Sequence, residues 1–100
     1  MNAHDKDRKK EWKLAQKQQA RAAFPMSDAM LESLFDSVDA RIKDSGCDHT
    51  LRFTEAWLTE HHQSVTSVLG WLNEHGAYCD CEVLANAVDH WEQNREMEAL

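Results

Sequence analysis

The stretch from Ser27 to Gly46 constrains the fold more than any other part of the chain. Met30, Leu31, Leu34, Phe35, Val38 and Ile42 recur at the period of an α-helix, opposite Asp28, Glu32, Asp36, Asp39 and Lys43. Ser27 can accept a free N–H of the first turn, and Met26 with Leu31 fills the two positions of a hydrophobic staple. Gly46 closes the pattern, because a glycine takes the positive φ of a helix terminator without strain.

The same period returns three times downstream. Leu51, Thr54, Trp57, Leu58 and His61 predict a third helix, with Asp48, Thr50 or Thr54 available to cap it. A fourth runs from a Ser64 cap through Val65, Val68, Leu69 and Leu72, with His75 in its last turn and Gly76 beyond. A fifth begins near Asp80 with the stripe Val83, Leu84, Ala87, Val88 and Trp91. Upstream, Asp5 to Phe24 is rich in Lys, Gln, Ala and Arg but thin in apolar residues beyond Trp12 and Leu14. It predicts a helical arm, supported slightly by the Asp5–Lys9 pair and stopped by Pro25.

With three Gly and one Pro in 100 residues, the chain lacks the turn chemistry of an all-β domain. The expected fold is all-α, a small bundle of about four to five short helices. Residues 1–25 form a basic N-terminal arm, 26–92 the helical domain and 93–100 a polar tail. About 20 sizeable apolar side chains make a core that is marginal without a staple.

Charge divides at the same place. Residues 1–25 carry seven Lys/Arg against three Asp/Glu, and residues 26–100 carry four against fifteen. A formal net charge of −7 argues against nucleic-acid binding by the surface as a whole and leaves the arm as the segment suited to it. No apolar run is long enough to cross a membrane, and the charged first ten residues lack a signal-like apolar stretch. A cytoplasmic location is expected.

Two tripeptides carry the chemistry. Cys47-Asp48-His49 follows Gly46 directly, and Cys79-Asp80-Cys81 follows Gly76 by three residues, each ahead of a helix. They share the form Cys-Asp-ligand, and Leu51 and Val83 align at the same offset. Three thiols and an imidazole complete a tetrahedral set for Zn2+, so Cys47, His49, Cys79 and Cys81 are the expected metal ligands. Residues separated by one can reach a common point where the backbone turns, and both motifs sit where helices stop and start. Cys81 near a helix start favours the thiolate. Asp80, as the cap of its own helix, would orient that turn, and Arg52 is the nearest cation in sequence. The plainer alternative is that the cysteines are small buried hydrophobes. It suits Cys47 but explains poorly two cysteines flanking an aspartate.

Four functions compete. A non-catalytic zinc module with an exposed face for a protein partner is preferred, because a small core gains folding free energy from a structural metal. A metal-dependent hydrolase would need an open zinc position, with Glu82 or Glu55 as base. The basic arm offers nucleic-acid binding, and Cys79 with Cys81 offers thiol redox sensing. Among the remaining residues, His75 is the reserve ligand, His61 and His62 end a helix, Trp57 and Trp91 belong to the core, and Trp71 is expected on the surface.

The stretches GCDHTLRFTEAWL (Gly46 to Leu58) and VLGWLNEHGAYCDCEVLAN (Val68 to Asn86) resemble the bacterial family called domain of unknown function 2695. The likeness extends more loosely to FPMSDAMLESLFDSVDARI and the Lys/Arg-rich start. It implies a small bacterial cytoplasmic protein in which Cys47, His49, Cys79 and Cys81 match the family's characteristic positions. It implies no reaction.

Overall fold

A computed structural model describes residues 15–95, and all its regular structure is helical. The Asp5–Lys9 pair, Trp12 and Leu14 fall outside the described residues. Helix α1 occupies residues 15–22 and ends before Pro25, as the proline requires. Helix α2 is Asp28–Ser45, α3 is Arg52–Glu60 and α4 is Val65–Glu74. The last helix, α5, is one continuous run of three stretches: α-helical Asp80–Glu82, a π-helical Val83–Ala87 and α-helical Val88–Asn94.

Helix α2 forms as its sequence dictates. Ser27 is the N-cap, its side chain accepting the Met30 N–H at 3.2 Å. Leu31, Leu34, Phe35 and Val38 are buried, while Met30 and Ile42 pack at the margin of the core. Gly46 ends the helix with φ 75° and ψ 170°. That φ is positive as expected, but ψ falls in an extended region open essentially to glycine alone rather than in the left-handed helical well. Ser64 caps α4 by accepting the Ser67 N–H at 3.3 Å.

Helices α3 and α4 end alike. In α4, Gly76 (φ 79°) donates to Asn73 O at 3.1 Å and Ala77 donates to Leu72 O at 2.9 Å, the paired bonds of a Schellman terminator. In α3, His62 donates to Thr59 O at 3.2 Å and Gln63 to Leu58 O at 2.8 Å, with His62 itself at φ 56°. His61, one position earlier, stacks on Trp57 at 4.0 Å and sets Nδ1 2.9 Å from Trp57 O.

The core lies where α2, α3, α4 and α5 meet. Trp57, Leu58, Val68, Leu72, Ala77, Val83, Ala87 and Trp91 join the α2 residues there. Trp91 packs edge-on against Phe35 at 5.2 Å and donates its Nε1–H to Asp28 Oδ1 at 3.0 Å, tying the end of α5 to the start of α2. Val83, Ala87 and Trp91, the fully buried line of α5, are spaced by four. The wider π-turn accommodates that spacing, and its mark is the Val88 N–H bonded to Val83 O.

Trp71 departs from expectation. It is 5% exposed rather than a surface residue. Lying off the Val68–Leu72 line, it is covered from another direction, by Phe24 from beyond the end of α1 (5.6 Å, edge-on) and by His75 and His90.

Candidate metal centre at the helix junctions

The first junction, Cys47 to Leu51, joins α2 to α3. Asp48 folds it by accepting the Thr50 N–H at 3.0 Å and the Thr50 hydroxyl, a side-chain-closed turn that places His49 at φ 68°. The Thr50 hydroxyl chiefly holds the Asp48 carboxyl below its usual range; the Thr50 N–H and the Arg52 guanidinium add to this, against some desolvation. Arg52 reaches Asp48 at 3.4 Å and Gly46 O at 3.4 Å, so this cation braces the turn, as well as lying 4.4 Å from the Phe53 ring centroid.

The second junction, Gly76 to Cys79, joins α4 to α5. Cys79, not Asp80, is the N-cap of α5, and it offers no side-chain bond to that helix. Glu82 instead reaches back, its Oε1 accepting the Tyr78 N–H at 3.2 Å. From the π segment, Asn86 donates Nδ2–H to Gly76 O at 2.8 Å and so fixes the start of the loop.

Asp80 joins the two junctions. Its N–H donates to Thr50 O at 2.9 Å. Its carboxylate accepts three bonds from the start of α3: Phe53 N–H at 3.1 Å, Thr54 N–H at 3.1 Å and the Thr54 hydroxyl at 2.7 Å. Helix α3 has Leu51 at its N-cap and no local side-chain cap, so the expectation of Asp48, Thr50 or Thr54 in that role is corrected. The same finding moves Asp80, expected to cap its own helix, to the cap of its neighbour. A fully buried carboxylate is tolerated there because N–H donors and the positive end of α3 surround it.

This cross-link gathers the cysteines. The Cys47 thiol is held below its usual range, first by the Cys81 N–H, then by the His49 N–H (3.4 Å from Sγ) and the thiols of Cys81 and Cys79, against desolvation. Cys81 is pushed up, mainly by its hydrogen bond with Cys47. For Cys79 the Glu82 N–H pulls down, but burial and the neighbouring Cys47 outweigh it and the thiol rises. One thiol is eased toward ionisation while the other two are pushed away from it, as expected of three thiols that share one small space. Cys79 is buried, Cys47 half-buried and Cys81 exposed, so the cluster opens to solvent on one side.

Of the four expected ligands, the structure brings together the three sulfurs. His49 meets them through its main-chain N–H and is exposed. Among the described residues no group of three or more His, Cys, Asp or Glu side chains stands in ligating geometry for a metal ion. His75, the reserve ligand, stacks on His90 at 3.7 Å instead. Of the seven Lys/Arg in the arm, only Lys17 and Arg21 lie among the described residues. No helix of the described residues is long and apolar enough to cross a membrane.

Sequence reasoning missed Asp80 as a bridge, Asn86 as a brace and the packing of Trp71, His75 and His90. The spacing of Val83, Ala87 and Trp91 is shared by Leu34, Val38 and Ile42 of the regular helix α2, so no sequence signal marked the π-turn that places Asn86.

Fold and site together define a small all-helical protein with a three-cysteine cluster at a joint between helix junctions. The model of the family described as "Protein of unknown function (DUF2695)" matches residues 34–86. Curated relatives include "Uncharacterized protein Mb2294" of Mycobacterium bovis and "Uncharacterized protein Rv2271" of Mycobacterium tuberculosis. Each is 35% identical over 75 residues, covering 75% of this chain and 76% of the relative. The chain belongs to the DUF2695 family. No solved structure matches it.

Proposed function

We propose that this chain is a small cytoplasmic zinc-binding protein, its Zn2+ held by Cys47, His49, Cys79 and Cys81, that acts as a non-catalytic interaction or regulatory module for a protein partner. The observation that carries the reading is the convergence of Cys47 with Cys79 and Cys81 through the Asp80 cross-link. Three neighbouring thiols, one eased toward the thiolate and two pushed away from it by the first, form a donor set that a borderline-soft dication suits, since the cation lets all three ionise. The N–H groups of His49 and Cys81 already point at Cys47, as donors that support metal thiolates do. When bound, the metal would supply a cross-link between the start of α3 and the start of α5. His49 would complete the set by turning its ring inward from its exposed turn.

A structural role is favoured over a hydrolytic one. Glu82, the better placed base, spends its carboxylate on the Tyr78 N–H, and Glu55 is an exposed residue of the first turn of α3. The test is metal content by mass spectrometry on untagged full chain purified without chelator, beside a Cys47→Ser, Cys81→Ser variant. One zinc per wild-type chain and none in the variant is expected, with three sulfur neighbours by X-ray absorption. Folded wild-type protein without stoichiometric metal refutes the reading. The same convergence favours, second, a thiol sensor in which Cys47 pairs with Cys79 or Cys81. Cysteines that stay unmodified in metal-free protein under mild peroxide would remove it.

A further inference from the structure

Away from the cysteines, the end of α1, the last turn of α4 and the middle of α5 meet in a cluster of rings. His75 and His90 stack face to face, with centroids 3.7 Å apart and planes inclined by 18°. Phe24 sets its edge against both His90 (6.1 Å) and Trp71 (5.6 Å), and Trp71 touches both histidines. The residues just before Phe24 make only short-range bonds, Ala23 N–H to Gln19 O and Phe24 N–H to Arg21 O, so Phe24 is the ring that lays this end of the arm on the body.

The stack tolerates neutral imidazoles and resists two charged ones, because two cations at this separation repel strongly in a half-buried site. His90 Nδ1 also faces the Asn94 Nδ2 donor at 3.4 Å, an approach that suits an unprotonated Nδ1. The charged and titratable groups acting on His90 are His75 across from α4 and Asp89 beside it on α5, while the arm brings Phe24, which carries no charge. Trp71 Nε1 is buried beneath Phe24 with no hydrogen-bond partner among the described residues, so closure is opposed by one unmet donor that opening would hydrate.

We propose that the stacked His75–His90 pair is a proton-operated clasp that holds Phe24, and with it the described segment 15–24, on the helical body at neutral pH and releases it on acidification. Burial, followed by the nearness of His75, depresses the pKa of His90 below its ordinary 6.5, consistent with a pair closed when neutral. The clasp does not depend on the cysteine cluster.

Hydrogen exchange of the full chain at pH 7.5 and 5.5, corrected for intrinsic rates, tests it. Protection at residues 19–24 should fall about tenfold at the lower pH, while α2 and α3 keep theirs. A His75→Phe, His90→Phe variant, which keeps rings in the stack but cannot charge them, should lose this dependence. Unchanged protection at 19–24, a loss shared equally by all helices, or a loss that persists in the variant each overturns the clasp. Should that variant fold poorly, Phe24→Ala decides the matter by linkage. Freed of its cover, His90 should titrate at higher pH in nuclear magnetic resonance spectra, and histidine midpoints that do not move refute the proposal.

Discussion

Replacing Asp80 by alanine should be among the most damaging single changes in the chain. Three donors lose their acceptor at once: the Thr54 N–H, the Thr54 hydroxyl and the Phe53 N–H. Thr54 is fully buried, so its two donors find no water in exchange, and leaving each unmet costs about 1–3 kcal/mol. The Phe53 N–H is only part-buried and recovers most of its loss from solvent. Against this stands relief from burying a carboxylate that has no cationic partner among the bonds it makes, which offsets roughly 1–2 kcal/mol. The net expectation is a loss of about 3 kcal/mol, near 10–25 °C in melting temperature for a domain of this size. Asp80→Asn keeps an acceptor for Thr54 but turns one donor group toward the N–H of Phe53, and should lose about half as much. Urea denaturation followed by circular dichroism, on metal-free protein, isolates this contribution from any metal. A Thr54→Val partner in a double-mutant cycle should show coupling above about 1 kcal/mol. An Asp80→Ala loss under about 0.5 kcal/mol, or a cycle without coupling, would refute the view that this carboxylate joins the two junctions.

Smaller perturbations test the neighbouring claims. Gly76→Ala should destabilise by about 1–2 kcal/mol, since φ is 79° and the new Cβ would stand 3.3 Å from Asn86 Nδ2; an unchanged urea midpoint would contradict it. His62→Gly should stabilise by about 0.5–1 kcal/mol, because His62 holds the left-handed terminator of α3 at φ 56°, and a fall in melting temperature would show that its side chain matters more than its backbone. The pKa of His90 is lower folded than unfolded, so the unfolded chain binds more protons in between. Its contribution is therefore full above the unfolded value of 6.5 and is lost as pH falls through that value toward the folded one. The difference in unfolding free energy between wild type and His90→Phe should shift against the wild type on going from pH 8 to 5, and a flat difference would exclude the effect.

Most of the fold was legible because its determinants are local. A serine cap, a run of apolar residues at helical spacing and a glycine terminator lie within a few residues of one another in α2, and the structure realises all three. The stripes of α3, α4 and α5 identified their buried faces for the same reason. Trp71 was misplaced because periodicity describes the side of a helix that faces the main core. It does not show that a separate segment, here bearing Phe24, comes to lie on a second side. A pair of histidines set at the last turn of one helix and the middle of another gives no sequence signal of meeting.

The candidate site divides along the same line. That Cys47, Cys79 and Cys81 belong together could be inferred from two like tripeptides of the form Cys-Asp-ligand, each placed where one helix stops and the next starts. How they are brought together could not. An aspartate before a helix reads as a cap for that helix, because the usual cap acts within three residues. Here Cys79 takes the cap position and moves Asp80 into the first turn of α5, from which its carboxylate serves the start of α3. Each motif contains the same Cys-Asp pair, yet the two aspartates do different work: Asp48 closes its own turn, and Asp80 closes the gap between turns. The consequence is a cluster positioned by protein hydrogen bonds alone. On the zinc reading proposed above, loss of a cysteine should abolish metal binding while leaving the helices formed, and loss of Asp80 should do the reverse, weakening the fold while all four proposed ligands remain.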